Sequence, residues 1–321
     1  MGGTPDALVL HTVEETHWMN ATELRTAIET RRPDLDLRMA RTPEESAAAI
    51  PGAEVVLASY VPSSLLDRAS SLAWIQALSA GVDFFDVERL RERGVVLTSA
   101  SGVHAQPIAE QVLGYLLAFE RGLDRAFRRQ RRGVWERFSG GELAGKTLGI
   151  VGVGAIGGRI AEFANAIGMR VIGTKRDPST APDAVSEIHG PDGLYDVLAA
   201  ANYVVLSCPL TERTRGLIGR DEIGAMNDDA VLVNVARGGV VDQPALTTAL
   251  QQRAIRGAAL DVFETEPLPS DSPLWDLSNV IVTPHMAGDT PHKHDRIADV
   301  FVENYEAFTT DDPDAMRNRV L

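Results

Sequence analysis

The chain has 321 residues, 44% hydrophobic and 24% charged, a globular composition long enough for two domains of ordinary size. Its formal net charge is −14, from 45 acidic and 31 basic residues, which argues against nucleic acid as a partner. No apolar run reaches a membrane span, no signal-peptide pattern opens the chain, and the single Cys208 excludes an internal disulfide, so a cytoplasmic protein with no membrane partner is expected.

In chain order, strands are expected at Ala7–Thr12, Glu54–Ser59, Trp74–Leu78 and Val95–Thr98, with helices such as Ala21–Arg31 and Glu44–Ile50 between them. This βα alternation predicts a parallel sheet covered by helices. Pro107 suits a first helical turn, and Ile108, Val112 and Leu116 then form an apolar stripe on a helix running to about Arg121. A second series starts at Lys146, with strands expected at Thr147–Val151, Arg170–Thr174, Tyr203–Ser207, Ala230–Val235, Ala258–Asp261 and Val280–Thr283. Their near-continuous apolar runs suit parallel strands buried on both faces. Six strands make a doubly wound sheet. The spacing of Ile297, Phe301, Asn304 and Phe308 predicts a last helix, placed to pack back on the N-terminal domain.

The strand Thr147–Val151 leads into Gly152-x-Gly154-x-x-Gly157, followed by apolar residues Ile156, Ile160, Phe163 and Ile167 at helical spacing. Strand, glycine turn and helix in that order are the context of a dinucleotide site. Gly152 permits the tight turn, Gly154 lets backbone approach a pyrophosphate, and Gly157 lets helix and strand pack closely. The N–H groups of Ala155 and Ile156 then face the phosphates at the positive end of the helix.

The choice of dinucleotide turns on the end of the next strand. A carboxylate there binds a ribose 2′-hydroxyl. Here Thr174 is followed by Lys175 and Arg176, two cations suited to a 2′-phosphate. NADP(H) is therefore the expected cofactor. NAD(H) remains possible if Asp177 turns back to the ribose, or if the two cations are merely solvated.

Further downstream lie Asn234-Val-Ala-Arg237-Gly-Gly-Val-Val-Asp242, Leu260-Asp-Val-Phe-Glu-Thr-Glu266-Pro-Leu and Thr283-Pro-His285-Met-Ala-Gly288. With the fingerprint, Leu206-Ser-Cys-Pro-Leu-Thr-Glu-Arg-Thr214, Ser79-Ala-Gly-Val-Asp83 and Gly102-Val-His-Ala-Gln-Pro-Ile-Ala-Glu110, the chain resembles the D-isomer-specific 2-hydroxyacid dehydrogenase family over almost its whole length. The resemblance implies two α/β domains with parallel sheets, Rossmann-like and flavodoxin-like, and an active site in the interdomain cleft. A discontinuous substrate-binding domain covers 1–102 and 289–321, and a dinucleotide-binding domain covers 103–288. It also implies reversible reduction of 2-oxo acids to D-2-hydroxy acids by hydride transfer, and a homodimer, for which Leu113, Leu117 and Phe119 are candidate contacts. Those three residues fit an ordinary buried helix equally well.

The implied roles make chemical sense. Arg237 offers a planar fork of donors for a carboxylate beside a ketone. His285 is the general acid/base, titrating in the range that serves both directions. Glu266 orients its imidazole and favours the protonated form. Glu264 is out of register and is read as solvated. Tyr60, Ala80 and Gly81 are the implied substrate contacts beside Arg237 and His285. Cofactor contacts are implied for Cys208, Pro209, Thr214, Val235, Ala236, Asp261, Ala287 and Gly288, in addition to the fingerprint and strand-end residues. Cys208 is read as a small apolar wall, having no paired base in its motif. His104, His292 and His294 are read as polar rim residues, and no metal site is expected.

Three rival activities stay open: glyoxylate or hydroxypyruvate reduction, a phosphite or formate donor, and a nucleotide-sensing, corepressor-like interaction protein. Only three of the basic residues are Lys. Acid excess with little Lys fits halophilic adaptation, because molar salt screens self-repulsion. A GC-rich genome gives the same bias.

Overall fold

The computed structural model describes residues 5–16, 19–310 and 312–321. They form two compact units, Met1–His104 with Asp289–Leu321, and Ala105–Gly288.

In chain order the first unit holds β1 (Ala7–Val9), α1 (Ala21–Arg31), β2 (Leu37–Met39), α2 (Pro43–Ala49), β3 (Val55–Ala58), α3 (Ser63–Arg68), β4 (Trp74–Ala77), α4 (Val87–Glu92) and β5 (Val96–Thr98). The strands form one sheet in the order β2-β1-β3-β4-β5, every neighbour parallel. This is the flavodoxin-like order, which reverses direction between β1 and β3. Side chains fix the helix starts. Asn20 accepts from the N–H groups of Thr22 and Glu23, Thr42 from Glu45, and Asp86 from Arg89, each satisfying donors that a helix leaves orphaned.

The second unit holds α5 (Ala105–Arg121), α6 (Leu123–Gln130), β6 (Thr147–Val151), α7 (Ala155–Ala166), β7 (Arg170–Thr174), β8 (Glu187–His189), α8 (Leu194–Ala200), β9 (Tyr203–Leu206), α9 (Arg220–Ala225), β10 (Val231–Asn234), α10 (Gln243–Gln252), β11 (Gly257–Leu260) and β12 (Val280–Val282). Its sheet has seven parallel strands rather than the six expected, in the order β12-β11-β10-β9-β6-β7-β8. The direction reverses between β6 and β9, so the glycine turn after β6 lies at the point where such sheets bind ligands.

α11 (Lys293–Thr309) returns to the first unit and packs along α1. Its Phe301 stacks on the fully buried Trp74 of β4, with ring centroids 5.4 Å apart. The Trp74 indole N–H donates to Thr98 Oγ1 at 2.8 Å, and Asn304 Nδ2 donates to Gln76 Oε1 at 3.0 Å. Full burial of each such ring contributes about 1.5–3 kcal/mol. The paired amides keep the buried polar atoms satisfied.

Two histidines differ from the rim reading. His104 is buried, and so is His294, whose Nε2 accepts the Asn20 N–H at 3.2 Å while Nδ1 faces Glu23 at 3.1 Å. Burial holds the His294 pKa below its usual value, against the raising influence of Glu23. Only His292 is exposed. Of the candidate dimer contacts, Phe119 lies within the core of its own unit and Leu113 packs against that core, whereas Leu117 stays exposed. No helix among the described residues is long and apolar enough to cross a membrane.

Candidate active site

The glycine turn has the shape its sequence predicts. Gly152 sits at φ +98°, a conformation open to glycine, and a Cβ there would lie 2.7 Å from the Cys208 backbone. A Cβ on Gly157 would lie 2.5 Å from the Gly152 carbonyl oxygen and 2.9 Å from Ser207 Oγ, so α7 touches the turn directly. Above Gly154 a Cβ would meet nothing within 4 Å. Gly154 also caps α7 without a side-chain bond, leaving the first N–H groups of the helix, on Ala155, Ile156 and Gly157, open to an anion. A backbone cradle, open space and a positive helix end fit a dinucleotide pyrophosphate.

Around this turn, Thr174 is buried at the end of β7. Lys175 Nζ donates to the Thr180 carbonyl at 2.6 Å, whereas Arg176 is exposed with no side-chain partner among the described residues. Asp177 Oδ1 accepts from the Ser179 N–H at 3.1 Å and the Ser179 hydroxyl at 2.6 Å. Those bonds, helped by nearby Lys175, hold its carboxyl below the usual range. Cys208 is buried, and burial pushes its thiol up to about 11, so it is a neutral wall at physiological pH. The Thr214 hydroxyl donates to the Pro209 carbonyl at 2.6 Å and closes that loop upon itself. Val235 and Ala236 are buried at the end of β10.

The loop after β10 carries Arg237. Asn234, almost fully buried, shapes it by accepting from the Ala236 N–H at 3.0 Å and donating to the Arg237 carbonyl at 3.1 Å. A Cβ on Gly238 would lie 1.8 Å from the Phe263 carbonyl carbon. Only glycine lets these two backbones touch, and the contact brings the Arg237 loop against the segment leading to Glu266. The Arg237 guanidinium bonds the Ala236 carbonyl at 2.8 Å, and its charge reaches Glu266.

Glu266 joins the two loops. Its Oε1 accepts from the Phe263 N–H at 2.9 Å, and its Oε2 lies 2.7 Å from His285 Nδ1. Burial pushes its carboxyl up, but the His285 and Phe263 bonds and the charges of His285 and Arg237 outweigh that and hold it below the usual carboxylate range. With Nδ1 engaged, His285 keeps Nε2 for another partner, and its side chain is 49% exposed. Glu264 is exposed, in line with the solvated reading, and it and Gln243 exchange reciprocal bonds, Gln243 N to Glu264 Oε1 at 3.1 Å and Glu264 N to Gln243 Oε1 at 3.3 Å.

Asp261 organises the His285 loop from beneath. It is 2% exposed, its Oδ1 accepts from the Met286 N–H at 3.0 Å and its Oδ2 from the Ala287 N–H at 2.9 Å. Ala287 is buried with it, next to Gly288 at the end of the unit. The second unit thus brings together Arg237, Glu266 and His285, a carboxylate-oriented imidazole beside a guanidinium, on the sheet that bears the glycine cradle. Among the described residues no group of His, Cys, Asp or Glu is arranged to hold a metal ion.

The remaining expected site residues belong to the first unit. Tyr60 follows β3, its hydroxyl donates to Glu15, and its carbonyl accepts from Thr12 Oγ1 at 2.9 Å. That last bond joins the loops after β1 and β3, where this sheet reverses. Ala80 and Gly81 lie in the loop after β4, curled by the Ser79 hydroxyl on the Gly81 carbonyl at 2.6 Å. Neither of their N–H groups has a protein acceptor among the described residues.

Residues 113–287 match the family model described as D-isomer specific 2-hydroxyacid dehydrogenase, NAD binding domain. The chain is 39% identical over 265 residues to D-3-phosphoglycerate dehydrogenase of Methanocaldococcus jannaschii, covering 80% of this chain and 50% of that protein. The chain therefore spans about half the length of that relative. It is 36% identical to glyoxylate reductase of Korarchaeum cryptofilum, covering 79% of this chain and 78% of that one. A solved D-isomer specific 2-hydroxyacid dehydrogenase from Xanthobacter autotrophicus, in complex with NADPH and MES, superposes with a TM-score of 0.87 at 32% identity, covering 99% of this chain and 98% of the other.

Proposed function

Because the chain belongs to the D-isomer specific 2-hydroxyacid dehydrogenases, we propose that it catalyses reversible, NADP(H)-dependent reduction of a small 2-oxo acid to the D-2-hydroxy acid. The observation that carries this reading is the 2.7 Å contact between Glu266 Oε2 and His285 Nδ1 beside the Arg237 loop. The match covers 78% of the glyoxylate reductase relative but only 50% of the phosphoglycerate dehydrogenase, which is the longer protein. Glyoxylate, which that relative's name gives as its substrate, is one candidate among the short 2-oxo acids.

In this proposal Arg237 binds the substrate carboxylate and the ketone oxygen through its guanidinium fork. The open N–H groups of Ala80 and Gly81 bind the carboxylate as well, and Tyr60 limits the substrate side chain. The dinucleotide, when bound at Gly152–Gly157, supplies or receives the hydride at the substrate's second carbon. His285 Nε2 gives its proton to the carbonyl oxygen in reduction and takes it back in oxidation. Glu266 fixes the tautomer by holding Nδ1 and stabilises the imidazolium. The NADP(H) preference rests on Arg176, which is exposed and uncommitted, and on Lys175 beside it. Asp177, the rival ribose ligand, is committed to Ser179. An exposed Leu117 on α5 is compatible with a homodimer.

The test is initial rates over 2-oxo acids from glyoxylate to six-carbon chains, each with NADPH and NADH, in low salt and in molar KCl. Faster turnover with NADPH supports the Lys175–Arg176 assignment. Faster turnover with NADH removes it and returns Asp177 to consideration. Turnover of no 2-oxo acid in any condition overturns the enzymatic reading.

A further inference from the structure

Beneath the His285 loop runs a hydrogen-bond chain, buried at both ends, that links α5 to Asp261. Tyr115, on α5 and 3% exposed, places its hydroxyl 2.5 Å from Thr283 Oγ1. Thr283 Oγ1 in turn lies 2.6 Å from Asp261 Oδ1. An ionised carboxylate only accepts, so Thr283 gives its single hydroxyl proton to Asp261. Tyr115 must therefore be the donor in its own contact with Thr283. The chain runs one way, from Tyr115 through Thr283 to Asp261.

Asp261 then grips the loop on both sides of its side chain, by the bonds to Met286 N and Ala287 N. Its carbonyl also accepts the His285 N–H at 2.8 Å. His285 needs that grip. Its φ is +50°, in the left-handed region that side-chain-bearing residues avoid, and a conformation of that kind persists only where its surroundings over-determine it. Tyr115 is itself well anchored. α5 packs against the fingerprint helix α7, and Arg159 Nε donates to Gln106 Oε1 at 2.8 Å between them.

We propose that Tyr115 is a positioning residue, which acts through Thr283 and Asp261 to hold the His285 loop in the geometry that proton transfer requires. The proposal rests on the reading of His285 given above. Catalysis by a positioned acid is steep in distance, and a displacement of about 1 Å can cost on the order of a hundredfold.

The experiment compares the full chain with Tyr115→Phe, Thr283→Val and Thr283→Ser. It measures kcat and KM for the best 2-oxo acid, NADPH affinity by fluorescence titration, the solvent deuterium isotope effect on kcat, and the thermal midpoint. Tyr115→Phe keeps the ring and removes only the donor, and should lower kcat about 3–10-fold. Thr283→Val is nearly isosteric, breaks the chain at its middle and should lower kcat about 10–100-fold. KM and NADPH affinity should stay within about twofold of the unaltered chain, because the affected step is proton transfer. The solvent isotope effect should rise as that step becomes limiting. Thr283→Ser keeps the hydroxyl and should recover most of the rate.

Unchanged kcat in both Tyr115→Phe and Thr283→Val overturns the proposal. So does a serine variant as slow as the valine one, or a loss of kcat that only follows a loss of thermal stability and NADPH affinity. If the unaltered chain turns over substrate but the variants match it, the positioning role alone fails. If the unaltered chain turns over no 2-oxo acid, the functional reading fails with it.

Discussion

The two sheets reverse strand order at equivalent points, yet they equip those points differently. In the second unit the reversal between β6 and β9 holds a glycine turn and an uncapped helix start, and the nearby strand ends deliver a guanidinium, a carboxylate and an imidazole. In the first unit the reversal between β1 and β3 holds Tyr60, tied to Glu15 and Thr12, and the adjoining loop offers backbone N–H groups in place of charged side chains. Strand order creates the place and the residues at the strand ends decide its chemistry. The second unit carries the acid–base machinery in this account, and the first contributes binding.

That division can be tested by substitutions ordered from the strongest effect to the weakest. Arg237→Lys keeps the charge but loses the planar fork, and kcat/KM for a 2-oxo acid should fall by about a hundredfold, since charge-assisted bonds are worth about 1.5–3 kcal/mol. NADPH affinity should change little, and a loss of cofactor binding equal to the loss of rate would contradict the assignment.

Glu266→Gln should lower kcat by about tenfold. The carboxylate holds Nδ1 and stabilises positive charge on the imidazole, which a neutral amide does less well. The same carboxyl is held below its usual range in the folded chain. Its contribution to stability is therefore present at neutral pH and is lost as the pH falls through its lowered folded value. The glutamine variant should show a smaller loss of stability across that acid window, checked by thermal melts. An unchanged kcat in the glutamine variant would break the proposed coupling.

Tyr60→Phe, in the first unit, should sit at the small end, with kcat within about threefold and the main change in KM across the substrate ladder. A loss as large as that of Arg237→Lys would move chemistry into the first unit and collapse the division.

Legibility in the sequence followed the same physics. β6 and β7 match their expected bounds, because a continuous apolar run between polar or glycine ends has one strand reading. α1 is likewise bounded by its Asn20 cap. β2 and β8 were missed: each is three residues at a sheet edge, only partly buried and carrying charge, so neither produces an apolar period. The six-residue helices α3 and α4 are too short to show one. The motif residues Arg237, Glu266 and His285 could be read because each sits in a short signature. Tyr115 could not, since it meets Thr283 across 168 positions and resembles any other core residue of an amphipathic helix. The shared boundary of Gly238 and Phe263 was hidden for the same reason, although a Gly-Gly pair at a strand end is the signal that could have suggested a close backbone approach.

The measurement that tests the central claim most directly is the turnover of His285→Asn, with NADPH binding followed in the same preparation. The account predicts a kcat lower by about 10²–10⁴-fold, the range for loss of a positioned general acid, with NADPH affinity unchanged. Turnover within about twofold of the unaltered chain would contradict it, and would mean that the proton comes from somewhere other than the imidazole held by Glu266.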